Sequence, residues 1–377
     1  MGKGYLGVFA AVALVAGTPA VAADGITVGV VVAESGYLAV VDQGGRDGFK
    51  LAVEQVNANG GVGGKALELA IADGKAEPQE TVNAYRKVID SGALFMLNGS
   101  SSAGNAGGGP VAARAKVPVL MFGNLPNDPR SLPWMFTTLP PQKFDADQRL
   151  RAVRDVARVS EIGILTDPSP YAKQMDDLLQ KNAANFGIKV VAHETYRATD
   201  ADFSVPVAKM QSQGAKAILK VGVGPSTLST AKALKQLGAS IPLIANETDW
   251  VVARAVADLL GSNFIMVVFP ASIYRELPQA HPFRKSASEF MKLWAGKYGD
   301  RDPTWGMLGW DAVSVAVAAL KKAGTGDGQK LRDAIESLQN FQGITTTYTF
   351  SKENHFGPSK NPYLVVQILD GKMKFLD

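Results

Sequence analysis

The chain alternates short apolar runs with longer amphipathic stretches. Residues 26–32, ITVGVVV, form an unbroken β-branched run, the pattern of a strand covered on both faces. A helical pattern follows over 45–57, with Phe49, Leu51, Ala52, Val53 and Val56 available for its inner face. A glycine-rich turn from Asn59 to Lys65 leads to a strand at 67–72, a helix at 79–91 and a second buried run at 94–97. That run breaks at Asn98-Gly99 into Ser100, Ser101 and Ser102, ahead of a small-residue segment that becomes helical near 110–115, and a strand at 117–122 comes next. Strand-helix units at this spacing predict an α/β fold with a doubly wound parallel sheet.

Residues 137–144 interrupt the rhythm, with Pro140 inside them and Pro133 just before, and read as a crossing between lobes. A second alternation then begins: helix 146–157, strand 161–166, loop Asp167-Pro168-Ser169-Pro170-Tyr171, helix 172–185, strand 189–194 and helix 205–213. Strand 217–221, helix 227–237 and strands 242–245 and 264–268 complete it before Pro270. Helices are expected at 282–298 and 304–323, and 346–350 and 363–369 alternate like hairpin strands, with Asp370-Gly371 as a turn signal. Two like sheets predict two lobes with a cleft between them, the first from residues 24–140 plus 271–341 and the second from 141–270 plus 342–377. The returning tail implies several crossings, so the lobes would move as a hinge.

At 377 residues the chain is too long for one ordinary core. Its 46% hydrophobic and 20% charged residues are those of a globular protein. The formal charge of +4 is spread among interspersed acids and bases, so a pI near 9.0 does not point to a nucleic-acid partner. The absence of cysteine excludes disulfides, thiolate metal sites and a cysteine nucleophile. Lys3, an apolar run over 5–16, Gly17-Thr18-Pro19 and the small-residue end Ala20-Val21-Ala22-Ala23 follow the plan of a secretory signal peptide over 1–23, cleaved near Ala22 or Ala23. Its removal takes Lys3 alone among the charged residues, leaving +3. The run is short for a membrane anchor, and a periplasmic location is expected.

Three hydroxyls at the carboxyl end of a strand, followed by the free N–H groups of a helix start, suit an anion, most simply a carboxylate. The plain alternative is a turn that caps a helix. The glycine-rich turn is no P-loop, because Asn59 stands where the first glycine should be and Ala66 follows Lys65. His193, His281 and His355 lie far apart in hydrophilic contexts that read as solvated, without metal spacing. Ser100 lacks a nucleophile elbow. These features favour a binding protein over an enzyme, with no cofactor or metal.

The succession VGVVVAESG, GGRDGFKLAVEQVNANGGVGGKALELAIAD, NGSSS, VPVLMFGN, SPYAKQM, DFSVPVAKMQSQGAKAI, ANETDW, FQGITTTYTFSKENHFG and YLVVQILDGK resembles the periplasmic branched-chain amino-acid-binding proteins, the type I solute-binding components of ABC importers. Order and spacing agree over nearly the whole chain after the leader. The resemblance implies a monomer with a small-molecule ligand between two α/β lobes joined by three hinge strands, and an ABC permease in the inner membrane as partner. It implies that Ser100, with Ser101 and Ser102 beside it, is the carboxylate-binding serine, and that the loop of Gly123, Asn124 and Leu125 serves the same end of the ligand. Glu247 matches the second-lobe acid that receives the ligand ammonium, with Asp249 as the alternative if the loop is turned. Tyr171 matches a second-lobe aromatic ring.

The chain departs from that pattern where a hydroxyl residue becomes Asn124 or Leu125, and where tyrosines become Val41 and Val223. The cysteine pair of the best-known leucine binders is absent. Tyr37, Leu38, Val41, Tyr171, Val223 and Trp250 are candidates for an apolar side-chain pocket, with core packing as the alternative; Tyr171 and Trp250 sit in expected loops. Lys220 interrupts an apolar strand and is expected to snorkel outward, rather than approach an anionic ligand. The expected ligand is an aliphatic, branched-chain amino acid. The alternatives are an aromatic or aliphatic carboxylate, or a sensory ligand-binding role.

Overall fold

The computed structural model describes residues 25–36, 38–197, 200–222, 226–324, 326–369 and 372–376. The leader read over 1–23, Tyr37, Val223 and the Asp370-Gly371 turn lie outside the described residues. The first half of the chain runs β1 (Ile26–Val32), α1 (Ala39–Ala58), β2 (Leu67–Asp73), α2 (Pro78–Asp90), β3 (Phe95–Asn98), α3 (Ser102–Ala115), β4 (Val119–Met121) and β5 (Met135–Thr137). These strands form an all-parallel sheet of order β2-β1-β3-β4-β5. Its apolar strands are buried by helices on both faces, as their continuous hydrophobic runs require.

The second unit follows as α4 (Gln142–Arg151), β6 (Glu161–Thr166), α5 (Pro170–Ala183), β7 (Lys189–Thr195), α6 (Ser204–Ser212), β8 (Ala217–Val221), α7 (Ser226–Gln236), β9 (Leu243–Asn246), α8 (Trp250–Leu260) and β10 (Phe264–Val268). The end of α4 widens into a π turn over Ala152–Ala157. The chain then makes α9 (Arg284–Tyr298), α10 (Thr304–Ala323), α11 (Gly328–Glu336), β11 (Phe341–Gln342), β12 (Thr347–Tyr348), β13 (Leu364–Leu369) and β14 (Lys372–Leu376). The second sheet has the order β14-β13-β10-β9-β8-β6-β7, in which only β13 runs against the other strands. Its parallel part repeats the strand order of the first sheet.

Several elements differ from the hydrophobic pattern. Helix α3 starts at Ser102 rather than near 110 and continues through three glycines and Pro110, against intrinsic propensity. Packing overrides propensity here: a Cβ on Gly107, Gly108 or Gly109 would stand 2.6–2.8 Å from Pro78, the Tyr85 ring or Ser131. Only a helix without those side chains can lie this close to α2. Helix α1 starts at Ala39, ahead of the expected 45, and α8, α11 and β5 had no counterpart in the pattern. The segment near 346–350 pairs with β11 and not with β13. It is stapled to the first lobe by Asp311, which accepts from the N–H groups of Ile344 (2.8 Å) and Thr345 (3.0 Å) and from the hydroxyls of Thr345 (2.6 Å) and Tyr348 (2.8 Å). The tail thus stays on the first sheet beyond 342, with Thr137 bridging Phe356, and reaches the second sheet at Leu364.

Helix α10 lies along α1, and glycines set their separation. A Cβ on Gly48 would run into the Gly306 carbonyl, and one on Gly309 into the Gly45 carbonyl. Gly48→Ala is therefore expected to lower stability by about 1–3 kcal/mol through overpacking, although alanine is the better helix former by about 1 kcal/mol. A urea-unfolding midpoint equal to or above that of the parent would contradict this packing.

Three segments connect the two sheets, and all leave from the same edge. The chain departs from the carboxyl end of β5 at Thr137 and enters α4 at Gln142. It leaves the carboxyl end of β10 through Phe269 and Pro270. It returns through Tyr363 into β13, whose Leu364 pairs with Val268 at that end of β10. Phe269 and Tyr363 stack with centroids 4.9 Å apart and continue the core that holds Val30, Phe122 and Phe136. The loops at the carboxyl ends of both sheets therefore flank the crossings.

Candidate functional site

In a sheet of this order the crevice opens where the winding reverses, outside the carboxyl ends of the first and third strands. In the first lobe those are β1 and β3, and in the second β6 and β8. The serine loop after β3 and the turn after β6 that leads to Tyr171, in the first turn of α5, lie at these two switch points. Gly123 and Glu247 each follow the next strand over, β4 and β9.

At the first switch point the three serines have separate tasks. Ser101 is the N-cap of α3: its Oγ accepts from the Gly104 N–H at 3.0 Å and donates to the Ala76 carbonyl at 3.2 Å. Ser102 is the first residue of the helix, whose opening N–H groups have no intrahelical partner. Ser100 is turned toward Asp42 on α1. Its N–H and its hydroxyl both donate to Asp42 Oδ1, at 2.9 and 2.6 Å, while Oδ2 accepts from the Ala33 N–H at 2.8 Å. Burial pushes the Asp42 carboxyl above the ordinary aspartate range, against these hydrogen bonds. Gly99 is obligatory here, since a side chain would collide with the Asp42 carboxylate.

The next loop is fastened to the serine loop. A Cβ on Gly123 would lie 2.7 Å from the Gly99 carbonyl oxygen, Asn105 Nδ2 donates to the Asn124 carbonyl at 3.0 Å, and Asn98 donates to Asn105. Asn124 is half-buried at this edge. Leu125 packs instead on the apolar cluster of Tyr85, Met96 and Met121, and Val41 belongs to the first-lobe core. Leu38 is half-buried.

The second lobe presents a buried polar network. Arg149, 1% exposed, grips Asp145 with Nε (2.8 Å to Oδ1) and Nη2 (3.0 Å to Oδ2) and donates from Nη1 to the Lys220 carbonyl at 2.6 Å. Asn246 Nδ2 donates to Asp145 Oδ2 at 2.7 Å and to the Tyr171 hydroxyl at 3.3 Å. Asn246 Oδ1 accepts from the N–H and the hydroxyl of Thr248, at 3.2 and 2.6 Å, and so shapes the turn that carries Glu247. Glu247 is buried and its Oε2 has no hydrogen-bond partner among the described residues. Burial, then the field of Asp145, raises its carboxyl well above the ordinary glutamate range, while the neighbouring Tyr363 hydroxyl opposes the rise. A carboxyl with a free oxygen at the rim of a crevice is a receptor for a donor or a cation.

Three expectations need correction. Lys220 does not snorkel: it is fully buried, and Nζ donates to Asp249 Oδ1 and the Gly222 carbonyl, each at 3.0 Å. Buried this deeply, the ammonium depends on the Asp249 carboxylate to offset its desolvation. Tyr171 and Trp250 are not loop residues but stand in the first turns of α5 and α8, and Trp250 packs on the second-lobe core. His355 is not solvated: it is buried, with Nδ1 at 2.7 and 3.0 Å from the Leu132 and Met135 carbonyls and its ring stacked on Phe136. His193 is partly exposed but pairs with Asp176 at 2.8 Å. Sequence reading also passed over Asp42, Asp145, Arg149 and Tyr363; the one visible signal was the i, i+4 spacing of Asp145 and Arg149. Among the described residues no group of acids and histidines is arranged to hold a metal ion, and no helix is long and apolar enough to cross a membrane.

Two lobes of one topology, joined at the edge where their ligand-type loops lie, define a bilobed solute-binding protein with the type I periplasmic binding fold. Residues 25–372 match the family described as periplasmic binding protein, and the chain belongs to that family. The leucine-, isoleucine-, valine-, threonine- and alanine-binding protein of Pseudomonas aeruginosa is 24% identical over 324 residues, covering 84% of this chain and 83% of that protein. The Leu/Ile/Val-binding protein homolog 2 of Brucella abortus is 22% identical over 350 residues, 92% of this chain and 91% of that one. Among solved structures, a type 1 periplasmic binding protein from Bordetella pertussis superposes with a TM-score of 0.77 at 24% identity, over 94% of this chain and all of that one. The branched-chain amino acid transporter substrate binding protein LivJ of Streptococcus pneumoniae, in complex with isoleucine, gives 0.76 at 20% identity, over 94% and 99%. The resemblance drawn from the motifs therefore holds for the family. The relatives bind solutes and are not enzymes, in line with the choice made from sequence.

Proposed function

We propose that the chain is the exported solute-binding component of an ABC importer, and that it takes an aliphatic amino acid between its lobes by hinge closure. The observation that carries this reading is Glu247, a buried carboxyl with one oxygen unpartnered among the described residues, beside the crossing segments. The ligand ammonium belongs there. Its carboxylate belongs on the first lobe, at Ser100, Ser102 and the opening N–H groups of α3. A ligand that touches both lobes favours the closed state, whereas one held equally in both states shifts nothing. What the relatives are named for binding supports the choice of amino acid. The lobes are divided near residues 140 and 270 and again in the tail, the leader is removed near Ala22 or Ala23, and the mature monomer docks on an inner-membrane permease.

A thermal-shift screen of aliphatic amino acids against aromatic and aliphatic acids tests this, because bound ligand raises the melting temperature by mass action. Leucine, isoleucine, valine or alanine should stabilise the protein, and acids lacking the ammonium group should not. Stabilisation by the acids alone would overturn the ligand class. The competing carboxylate reading keeps the apolar substitutions but not Lys220, which is committed to Asp249.

A further inference from the structure

We propose that Asp42 takes up a proton when a ligand carboxylate arrives at Ser100, which makes Asp42 a specificity-determining residue of the first lobe; the proposal rests on the amino-acid reading of the site. The geometry is a closed account of donors. Ser100 has one hydroxyl proton, and it lies on the 2.6 Å line to Asp42 Oδ1. With Asp42 ionised, only the lone pairs of Ser100 Oγ are left for a ligand. A carboxylate placed against them receives no donor from Ser100, whatever Ser102 and the α3 N–H groups supply, and stands close to a second negative charge in a partly buried site, where repulsion is poorly screened.

One proton from solvent resolves both conflicts. Carried on Asp42 Oδ1, it is donated to Ser100 Oγ, and the Ser100 hydroxyl turns to donate to the ligand carboxylate. The N–H groups of Ala33 and Ser100 keep their acceptors throughout. No covalent bond other than the new O–H is made or broken.

The surroundings favour uptake. Asp42 is 1% exposed, and among the described residues no lysine or arginine forms an ion pair with it. Glu34, in the loop after β1, adds a negative field. Arg46, one turn along α1, is spent on Glu34 and Asp47. At the end of β2, Asp73 accepts from Ser35 and from the N–H groups of Glu34 and Lys75, and Lys75 faces Glu80 at 3.7 Å. The serine loop and α3 as far as Ala113 carry no charge, and the α10 residues against this end of α1, Trp305 and Gly306, are neutral.

Glu247 complicates a simple proton count, because pairing with the ligand ammonium makes it release a proton. The test is therefore a difference. Calorimetry of L-leucine binding, in two buffers of unlike ionisation enthalpy from about pH 6 to 9, is compared between the parent and Asp42→Asn. Asparagine keeps an acceptor for the Ala33 N–H and offers its own N–H to Ser100 Oγ, so toward the Ser100 hydroxyl it imitates the protonated state, though the Ser100 N–H loses its acceptor. The parent should take up as much as about one proton more than Asp42→Asn, and the ratio of its Kd to that of the variant should rise by up to about tenfold per pH unit. Asp42→Gly serves if the asparagine variant does not fold. Equal proton counts with parallel Kd profiles would overturn the role of Asp42 and leave the amino-acid reading standing. Leucine bound by neither form would remove that reading, and this one with it.

Discussion

Glu247→Gln is expected to raise the melting temperature of the ligand-free protein while removing most of its affinity for an aliphatic amino acid. The buried carboxyl has an oxygen with no partner, and leaving such a group unsatisfied costs about 1–3 kcal/mol; the neutral amide recovers part of this. The same exchange removes the counter-charge for the ligand ammonium, a loss of about 2–5 kcal/mol, or about thirtyfold to several-thousandfold in Kd. The sign of the pH dependence follows from burial. Because the folded-state pKa of Glu247 is raised above its ordinary value of 4.5, the folded protein holds a proton that the unfolded chain has lost. Its contribution to stability is complete below about 4.5 and declines as pH rises from there toward the folded pKa. The ligand-free parent should lose stability relative to Glu247→Gln over that window, and saturating ligand should narrow the gap. Parallel melting curves for the two proteins across pH, with unchanged ligand shifts, would show that Glu247 neither keeps a proton on folding nor receives the ligand ammonium.

Lys220→Met should be among the most damaging single substitutions in the second lobe. Lys220 and Asp249 are 0% and 1% exposed, and burial lowers the lysine pKa even with Asp249 beside it. Removing the ammonium leaves Asp249 buried with neither oxygen satisfied, since its Oδ2 already lacks a partner; breaking such a pair costs about 3–5 kcal/mol. Adding Asp249→Leu to Lys220→Met should restore most of the loss, because an apolar pair of similar volume is often neutral. Urea unfolding of the four members of this cycle measures the coupling. Additive losses would mean that the two charges do not depend on each other.

The sheets were legible because buried parallel strands are written as unbroken apolar runs, and β1, β6, β8 and β10 fall within a residue or so of their runs. Helix starts were less legible where packing overrides composition. The glycines of α3 read as a loop until Tyr85 and Pro78 are set against them. Trp250 read as a loop aromatic because α8 begins a single turn after β9. The site was legible only in outline. Ser100 and Glu247 stand out by their place after strands, but Asp42 resembles any acid in a first helical turn until the fold brings Ser100, 58 positions away, against it. Asp145 and Arg149 match a surface i, i+4 pair, and nothing local reveals that Asn246 and the Lys220 carbonyl cover them.

Because both halves thread their first five parallel strands in one order, each loop on one side has a topological counterpart on the other. A guest with identical ends would be served by identical furniture on the two sides. The counterparts here differ: serines follow the third strand in one half and Gly222 follows it in the other, while Gly123 follows the fourth strand in one half and Glu247 follows it in the other. The broken symmetry amounts to a mould of the guest's own polarity, and it fixes which way round a head-and-tail molecule must enter.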